Sequence, residues 1–238
     1  MNTIAFDTAT DIFSVGLLIN SRPEKRYYLT VDGGQRHSEV IMDAADSLFR
    51  IAGFERENLE AVACMEGPGS FTGLRIGFAA AKGLAFALGI PFIPVPTLDC
   101  MACRVAFWPG MVLPVIDAKK NSFFAALYNQ GKRLTPYLDI DSETLIKTIK
   151  GAGIQQGQTS NLLLVTGPAV HLVKSGIKEA FTDAVFDSTA GQGYAAELLN
   201  LVTEKGIFNT RPADHAAGPM YIRKSDAELN VNMDYKNG

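Results

Sequence analysis

Residues 3–7 read Thr-Ile-Ala-Phe-Asp, a short apolar run that ends in an acid, and residues 111–117, Met-Val-Leu-Pro-Val-Ile-Asp, repeat this pattern. In both places the aspartate, Asp7 or Asp117, leads directly into a stretch that suits a tight hairpin. An aspartate after a strand is also a common turn residue, so coincidence is the alternative interpretation. Because the pattern occurs twice, we predict that the chain is built from two related halves.

Periodic apolar patterns give the same order of elements in each half. In the first half we predict strands at 3–7, 12–19, 26–32, 61–65 and 92–95, and helices at 38–52, 71–88 and 97–107. In the second half we predict strands at 111–117, 122–129, 132–138, 161–166 and 184–187, and helices at 142–150, 168–175 and 190–206. The order is βββαβαβα in both, with a boundary at Pro109-Gly110 that gives lobes 1–108 and 109–238.

Duplicated βββαβαβα halves whose paired hairpins carry strand-terminal acids resemble the actin, sugar kinase and Hsp70 group. The resemblance implies an α/β, actin-like (ribonuclease-H-like) duplicated fold in which hairpins from two lobes grip phosphates and metal. Asp7, Thr8 and Asp117 are then expected near an interlobe cleft, where they would be remnants of a cofactor-binding site.

The composition restricts the class of protein. Hydrophobic residues make up 47% of the 238 positions, which is ample for a packed core. The apolar stretches are interrupted well before the roughly 20 residues of a membrane span, and no basic region precedes the first apolar run. With only three cysteines, we expect a cytoplasmic protein that does not enter the membrane. A net charge of −3 without a dense lysine or arginine block predicts no strong phosphate-binding surface.

The most distinctive segment is 67–77, Gly-Pro-Gly-Ser-Phe-Thr-Gly-Leu-Arg-Ile-Gly, which follows a strand and opens a helix. A turn of this kind can hold an anion at the helix N-terminus. However, a Walker loop needs lysine where Leu74 stands, and a dinucleotide loop needs glycine where Thr72 stands. The esterase elbow fails because Pro68 replaces its first glycine. The structural interpretation remains: Ser70 caps the helix and the glycines allow close backbone approach.

Helix 71–88 has only two charges, Arg75 and Lys82, and is therefore apolar around most of its circumference. Small residues at 73, 77 and 81, and again at 79, 83 and 87, would let another helix approach closely. Helix 38–52 likewise has one polar stripe and a wide apolar arc. We predict that the two helices form a docking surface, the alternative being a buried pair of core helices. The predicted interface residues are Ile41, Ala45, Leu48, Phe49, Gly73, Leu74, Gly77, Phe78 and Ala81.

Neither a metal site nor a catalytic residue is predicted, and no cofactor is expected. Cys100 and Cys103 form a single C-x-x-C, whereas a zinc site needs two further ligands. The three histidines, at 37, 171 and 215, are scattered singly. Two cysteines on one helix are better interpreted as small buried hydrophobic residues.

The segment 67–77, continuing into Ala80-Ala81-Lys82-Gly83-Leu84-Ala85, resembles the TsaB family, also called YeaZ. The resemblance extends to residues 4–8, 14–15, 37–39, 114–118 and 219–223. It covers the first half well and the second half thinly.

The resemblance implies a noncatalytic scaffold or activating subunit of the complex that makes threonylcarbamoyladenosine beside the tRNA anticodon. In that family, TsaB pairs with its paralogue TsaD, which carries the metal and transfers the threonylcarbamoyl group, and TsaE is the ATPase. The expected partners are therefore TsaD and TsaE homologues. The isolated chain is expected to form a homodimer through the docking surface of helices 38–52 and 71–88. It is expected to meet tRNA only indirectly, through the complex.

Several positions depart from the active members of the wider group. The paralogue's metal motif H-x-x-x-H would fall on Thr97 and Met101, which cannot replace imidazole. The hairpin after Asp117 has Lys119-Lys120 where active members of the wider group use glycines. The turn at Gly167-Pro168 has one glycine where an adenosine-binding turn usually has two. In addition, 118–123 differs from the usual TsaB sequence. An independent ATP-dependent kinase or metallopeptidase of the same fold remains the alternative.

Overall fold

The computed structural model describes residues 1–32, 37–155, 162–189, 192–204 and 218–223. The first half contains β1 (Thr3–Asp7), β2 (Phe13–Ile19), β3 (Lys25–Val31), α1 (His37–Ala52), β4 (Ala61–Gly67), α2 (Phe71–Leu88), β5 (Phe92–Pro96) and α3 (Thr97–Arg104). The second half contains β6 (Met111–Asp117), β7 (Phe123–Ala125), β8 (Tyr128–Asn129), β9 (Lys132–Arg133), β10 (Leu138–Ile140), α4 (Ser142–Gln155), β11 (Leu163–Thr166), α5 (Val170–Ala180), β12 (Val185–Phe186) and α6 (Ala195–Glu204).

The two sheets have the same topology. The first has the order β3-β2-β1-β4-β5 and the second the order β10-β7-β6-β11-β12. In each sheet the hairpin strands pair antiparallel, and the strands that follow the helices pair parallel. The predicted duplicated actin-like α/β fold is therefore confirmed.

Two predicted strands of the second half are broken in the structure. β7 and β8 both pair with β6 in one continuous register, but the ladder is interrupted between them, around Pro114. Proline has no N–H to donate to a neighbouring strand. The run predicted at 132–138 similarly splits into β9 and β10, with Pro136 in the gap.

The helices and sheets stack in five layers. α1 and α2 cover one face of the first sheet, α3 and α6 fill the space between the sheets, and α4 and α5 cover the outer face of the second. α6 belongs to the second half by sequence but packs on the strands of the first, where Leu199 lies against Gly16. The predicted division into lobes 1–108 and 109–238 stays a prediction. α6 follows position 109 in the sequence but packs on strands of the first half.

By length and composition alone, α2 qualifies as a possible membrane span. Its inner face nevertheless packs on the first sheet, where Leu74, Phe78 and Ala81 are buried among residues of β1, β2, β4 and β5. This packing accounts for the apolar residues on the inner face of α2.

Candidate functional site

A cleft of about 1020 Å³ lies between the two halves. Its walls come from the turn after β1, the start of α2, the hairpin after β6, the turn into α5 and the segment 220–223. The charged residues among the lining are Arg75, Lys119, Lys120, Arg223, Asp11 and Asp117. The cleft therefore lies where the duplicated hairpins face each other, as the repeat predicts.

Asp117 lines this cleft and is paired within its own hairpin. Its two carboxylate oxygens accept hydrogen bonds from the backbone N–H of Lys119, at 2.7 Å, and from the Lys119 Nζ, at 2.8 Å. Burial alone would raise the pKa of Asp117, but the hydrogen bonds from Lys119 outweigh it and hold this pKa below its usual value. The carboxylate is thus ionised and already neutralised by a lysine.

The backbone of this second hairpin is unusual. Lys119, Lys120 and Asn121 have φ of 61°, 54° and 60°, in the left-handed region that side-chain-bearing residues rarely enter. Within the hairpin the Ala118 N–H donates to the Ser122 carbonyl, and the Ser122 N–H donates to the Lys119 carbonyl. Three of its N–H groups, counting that of Lys119, are therefore used internally rather than directed at a phosphate.

Asp7 does not line the cleft described above and is wholly buried behind it. Its carboxylate accepts hydrogen bonds from the Ala9 N–H (3.2 Å), the Ser14 hydroxyl (3.2 Å) and the Tyr194 N–H (2.8 Å). Burial raises the pKa of Asp7 to about 6, and these hydrogen bonds oppose the rise only in part. Of the two repeated aspartates, only Asp117 lines the cleft, whereas Asp7 joins the first hairpin to the start of α6.

Thr8 is also buried, against the inner face of α2. A Cβ added to Gly73 would lie 2.1 Å from the Thr8 carbonyl oxygen, and one added to Gly77 would lie 2.2 Å from the Thr8 hydroxyl. Because no side chain fits there, these glycines let α2 pack directly on the turn after β1.

The glycine-rich loop before α2 is likewise used for packing. The Ser70 hydroxyl accepts a hydrogen bond from the Gly73 N–H, which confirms the predicted N-cap. The Ser70 N–H donates to the Ala9 carbonyl at 2.8 Å, and a Cβ on Gly69 would lie 2.4 Å from that carbonyl oxygen. These groups bind the first hairpin and so do not form an anion cradle.

The structure adds site residues that sequence reasoning did not identify. These residues are Tyr221 and Arg223 of the segment 218–223. Tyr221 contacts Arg75 of α2 on the first half, and Arg223 contacts Asp139 of β10 on the second half. The available signals were the family match at 219–223 and the single arginine on an otherwise apolar stretch of α2.

All nine predicted interface residues are buried within this chain. The residues are Ile41, Ala45, Leu48, Phe49, Gly73, Leu74, Gly77, Phe78 and Ala81. They pack on the first sheet because the apolar arc of an amphipathic helix covers its own core first. The choice of contact residues is therefore corrected, and substitutions such as Phe78→Glu or Ala45→Arg would disrupt this core.

The exposed faces of the same helices have a different composition. The second row of small residues, Ala79, Gly83 and Ala87, faces outward on α2. Large apolar side chains stand exposed on both helices: Met42 (42%) and Ile51 (67%) on α1, and Phe86 (76%) on α2. Phe86 and the row of small residues lie with Thr72 and Arg75 on one side of α2, and the exposed surfaces of α1 and α2 together are what we call the outer helix face.

Most of the histidines, cysteines and other side chains considered above as possible metal ligands have structural roles in the described residues. His37 is buried and hydrogen-bonds the Thr10 carbonyl at 2.8 Å, and His171 bonds the Pro168 carbonyl at 3.1 Å. His215 lies outside the described residues. Cys100 is buried on α3, where burial raises the pKa of its thiol. Thr97 and Met101 are buried on the same helix. No group of three or more potential metal ligands is found within the described ranges.

Comparison with known families matches residues 30–208 to the family model described as TsaD, tRNA N6-adenosine threonylcarbamoyltransferase. The tRNA threonylcarbamoyladenosine biosynthesis protein TsaB of Bacillus subtilis is 26% identical over 234 residues, which is 96% of each chain. TsaB of Haemophilus influenzae is 35% identical over 52% of each chain. TsaB of Escherichia coli is 33% identical over 55% of this chain and 56% of its own. The matches to these last two relatives span about half of their length.

Solved structures show the same fold. A Pseudomonas aeruginosa protein described as similar to peptidase YEAZ superposes with a TM-score of 0.75 at 23% identity, covering 93% of this chain and 99% of its own. YeaZ from the same organism gives a TM-score of 0.72 with the same identity and coverage.

Proposed function

Because the chain belongs to the TsaD family, and within it to the TsaB (YeaZ) group, we propose that it is a subunit for the biosynthesis of threonylcarbamoyladenosine in tRNA. The observation that carries the proposal is the similarity to TsaB of Bacillus subtilis along 96% of both chains. An independent kinase or metallopeptidase of the same fold is not favoured by these relatives. The proposed role implies a cytoplasmic protein that meets tRNA only through its complex.

We further propose that the subunit is noncatalytic and acts as a scaffold or activator. In support, Thr97 and Met101 occupy the positions expected for the paralogue's metal-binding histidines, and both are fully buried. Asp117, the repeated acid that lines the cleft, is neutralised by Lys119. On this proposal the metal and the transfer chemistry belong to the partner TsaD, and ATP hydrolysis belongs to TsaE.

The outer helix face is the proposed docking surface for TsaD. Three of the eight large hydrophobic side chains exposed in the described residues lie on α1 and α2. The outward row of Ala79, Gly83 and Ala87 would let a partner helix approach the backbone of α2 closely. A second copy of this chain would compete for the same face and form a twofold contact.

The experiment compares two exposed phenylalanines. Phe86, 76% exposed, lies on the outer helix face, whereas Phe107, 80% exposed, lies in the loop after α3. Phe86→Glu places a charge in the proposed interface, where it would be desolvated without a partner. We expect it to weaken TsaD binding about 100-fold or more and to convert the isolated dimer to a monomer, measured by calorimetry and light scattering.

Phe107→Glu is the matched control and should retain both the dimer and TsaD binding. Circular dichroism establishes first that each variant is folded. A folded Phe86→Glu variant that dimerises and binds TsaD as the parent does would place the docking surface elsewhere.

A further inference from the structure

Residues 218–223 cross the cleft and begin on the first half. The Met220 N–H donates a hydrogen bond to the Glu66 carbonyl at 2.6 Å. A Cβ on Gly67 would lie 2.5 Å from the Met220 carbonyl oxygen, so the segment is seated directly on the end of β4. Glycine at 67, with φ of 113°, permits this contact between two backbones.

The next residue, Tyr221, is held by the start of α2. Its ring lies 5.0 Å from the ring of Phe71, centroid to centroid, and its hydroxyl accepts a hydrogen bond from the Arg75 Nε at 3.1 Å. The Arg75 guanidinium itself stacks 3.8 Å from the Phe71 centroid. Two aromatic rings and a guanidinium therefore form one stacked cluster, which combines apolar contact with a cation–π interaction.

Two residues later, Arg223 binds the second half. Its Nε and one terminal nitrogen donate to the two carboxylate oxygens of Asp139, both at 2.6 Å, and its other terminal nitrogen donates to the Ala118 carbonyl at 3.1 Å. The side chains of Arg223 and Asp139 are only 28% and 18% exposed, so solvent screens this pair less than a surface ion pair. A two-pronged arginine–carboxylate bond of this kind is both strong and specific in geometry.

We propose that residues 218–223 are a peptide ligand that the chain supplies to its own cleft, and that they clamp the two halves together. The groove has a site for an aromatic residue on the first half and a site for an arginine on the second. Its ligand class is thus a short extended peptide with the pattern aromatic-x-Arg, here Tyr221-Ile222-Arg223. This site does not depend on the proposed role in tRNA modification.

The clamp has a consequence for the cleft. Met220, Tyr221, Ile222 and Arg223 all form part of its wall, and Arg223 also holds the carbonyl of Ala118 in the second hairpin. Release of the arginine end would therefore detach the segment from the second half and remove its contact with the hairpin. Any other ligand of the cleft would have to fit beside the clamp or displace it.

Hydrogen exchange of the full chain, followed by mass spectrometry, tests the clamp. Asp139→Asn removes the charge that Arg223 binds, and Arg223→Lys keeps the charge but loses the two-pronged geometry. We expect each variant to accelerate exchange of the Met220 amide about tenfold or more, with a smaller acceleration at the Ala118 and Ser122 amides. Tyr221→Ala should accelerate the Met220 amide in the same way, because it removes the other anchor.

Asp183→Asn is the matched control, since it removes an exposed carboxylate of the same half that is not among the residues lining the cleft. The charge-swapped chain, Asp139→Arg with Arg223→Asp, should recover part of the protection. The proposal is overturned if the Met220 amide of the parent, which donates to the Glu66 carbonyl, exchanges as fast as in an unstructured peptide. It is equally overturned if folded Asp139→Asn exchanges within about twofold of the Asp183→Asn control.

Discussion

The carboxylate of Asp7 accepts a hydrogen bond at 2.8 Å from the backbone N–H of Tyr194, 187 positions further along the chain. The Ser14 hydroxyl supports the same junction, because it lies 3.1 Å from the N–H groups of both Tyr194 and Ala195. A carboxylate and a hydroxyl thus bind the N–H groups that open α6, where negative charge is favourable. The first acid of the repeat has become an anchor for the last described helix.

This anchor predicts a pH dependence of stability. Burial raises the pKa of Asp7 from 3.8 to about 6, so the folded chain binds this proton more tightly than the unfolded chain. The contribution of Asp7 to the unfolding free energy is therefore fully present below pH 3.8 and is lost as the pH rises through 6. Over that window the loss is on the order of 3 kcal/mol at 1.36 kcal/mol per pKa unit.

Asp7→Asn removes the titration and isolates the effect. We expect the unfolding free energy of the parent, measured in urea relative to Asp7→Asn, to fall by on the order of 3 kcal/mol between pH 4 and pH 7. A difference that stays constant across this range would show that Asp7 has the same pKa in the folded chain as in the unfolded chain.

A second prediction concerns the ion pair beside this junction. Arg104 of α3 and Glu197 of α6 form two contacts, at 2.8 and 3.1 Å, with both side chains only 14% exposed. Glu197→Ala leaves the guanidinium largely buried without its carboxylate, so we expect a loss of about 3 kcal/mol in unfolding free energy.

The double variant Arg104→Met with Glu197→Leu is the control, because it removes both charges and keeps apolar contact. It should recover most of the loss in denaturant titrations. Equal stability of the parent and Glu197→Ala would show that the pair contributes nothing to the packing of α3 against α6.

Two glycines of α2 give a matched pair. Gly77→Ala would place a methyl group 2.2 Å from the Thr8 hydroxyl, whereas a Cβ on Gly83 meets nothing within 4 Å. We expect Gly77→Ala to cost about 1–3 kcal/mol through overpacking, and Gly83→Ala to stabilise the helix by about 0.5–1 kcal/mol. Thermal unfolding of both variants checks the order, and the same sign for both would contradict the assigned inner and outer faces of α2.

The isolated chain is not expected to bind Mg-ATP usefully. The hairpin N–H groups of Ala118, Lys119 and Ser122 are used within the hairpin, and glycines that would let phosphate approach the backbone are missing there. Calorimetry with Mg-ATP should show no binding in the low micromolar range. A dissociation constant there, about −8 kcal/mol in binding free energy, would contradict this prediction.

Local pattern determined most of the elements. The predicted bounds of β1, β6 and α2 agree with the structure, because short apolar runs that end in an acid, the Ser70 cap and the left-handed Gly89 that ends α2 are all local features. The broken strands β7 and β8 show the limit of such patterns. Their interruption depends on Pro114 in a neighbouring strand, and a periodicity within one segment contains no information about its partner.

The same limit applies to the site residues. A strand-terminal acid enters its own hairpin, and Asp117 accordingly lines the cleft beside the second hairpin. It could not predict that Asp7 turns inward, because α6 comes to that point from 187 residues away. Helical periodicity likewise revealed two rows of small residues on α2, but it could not tell which row faces outward.

The sequence by itself determined the duplicated order of strands and helices, which short-range periodicity, turns and caps encode. Only the tertiary structure decided that Gly73, Gly77 and Ala81 face the chain's own core, and that Arg223 meets Asp139 across the cleft. The physical reason is that burial and ion pairing depend on which distant segments come together. That choice is made by the packing of the whole chain.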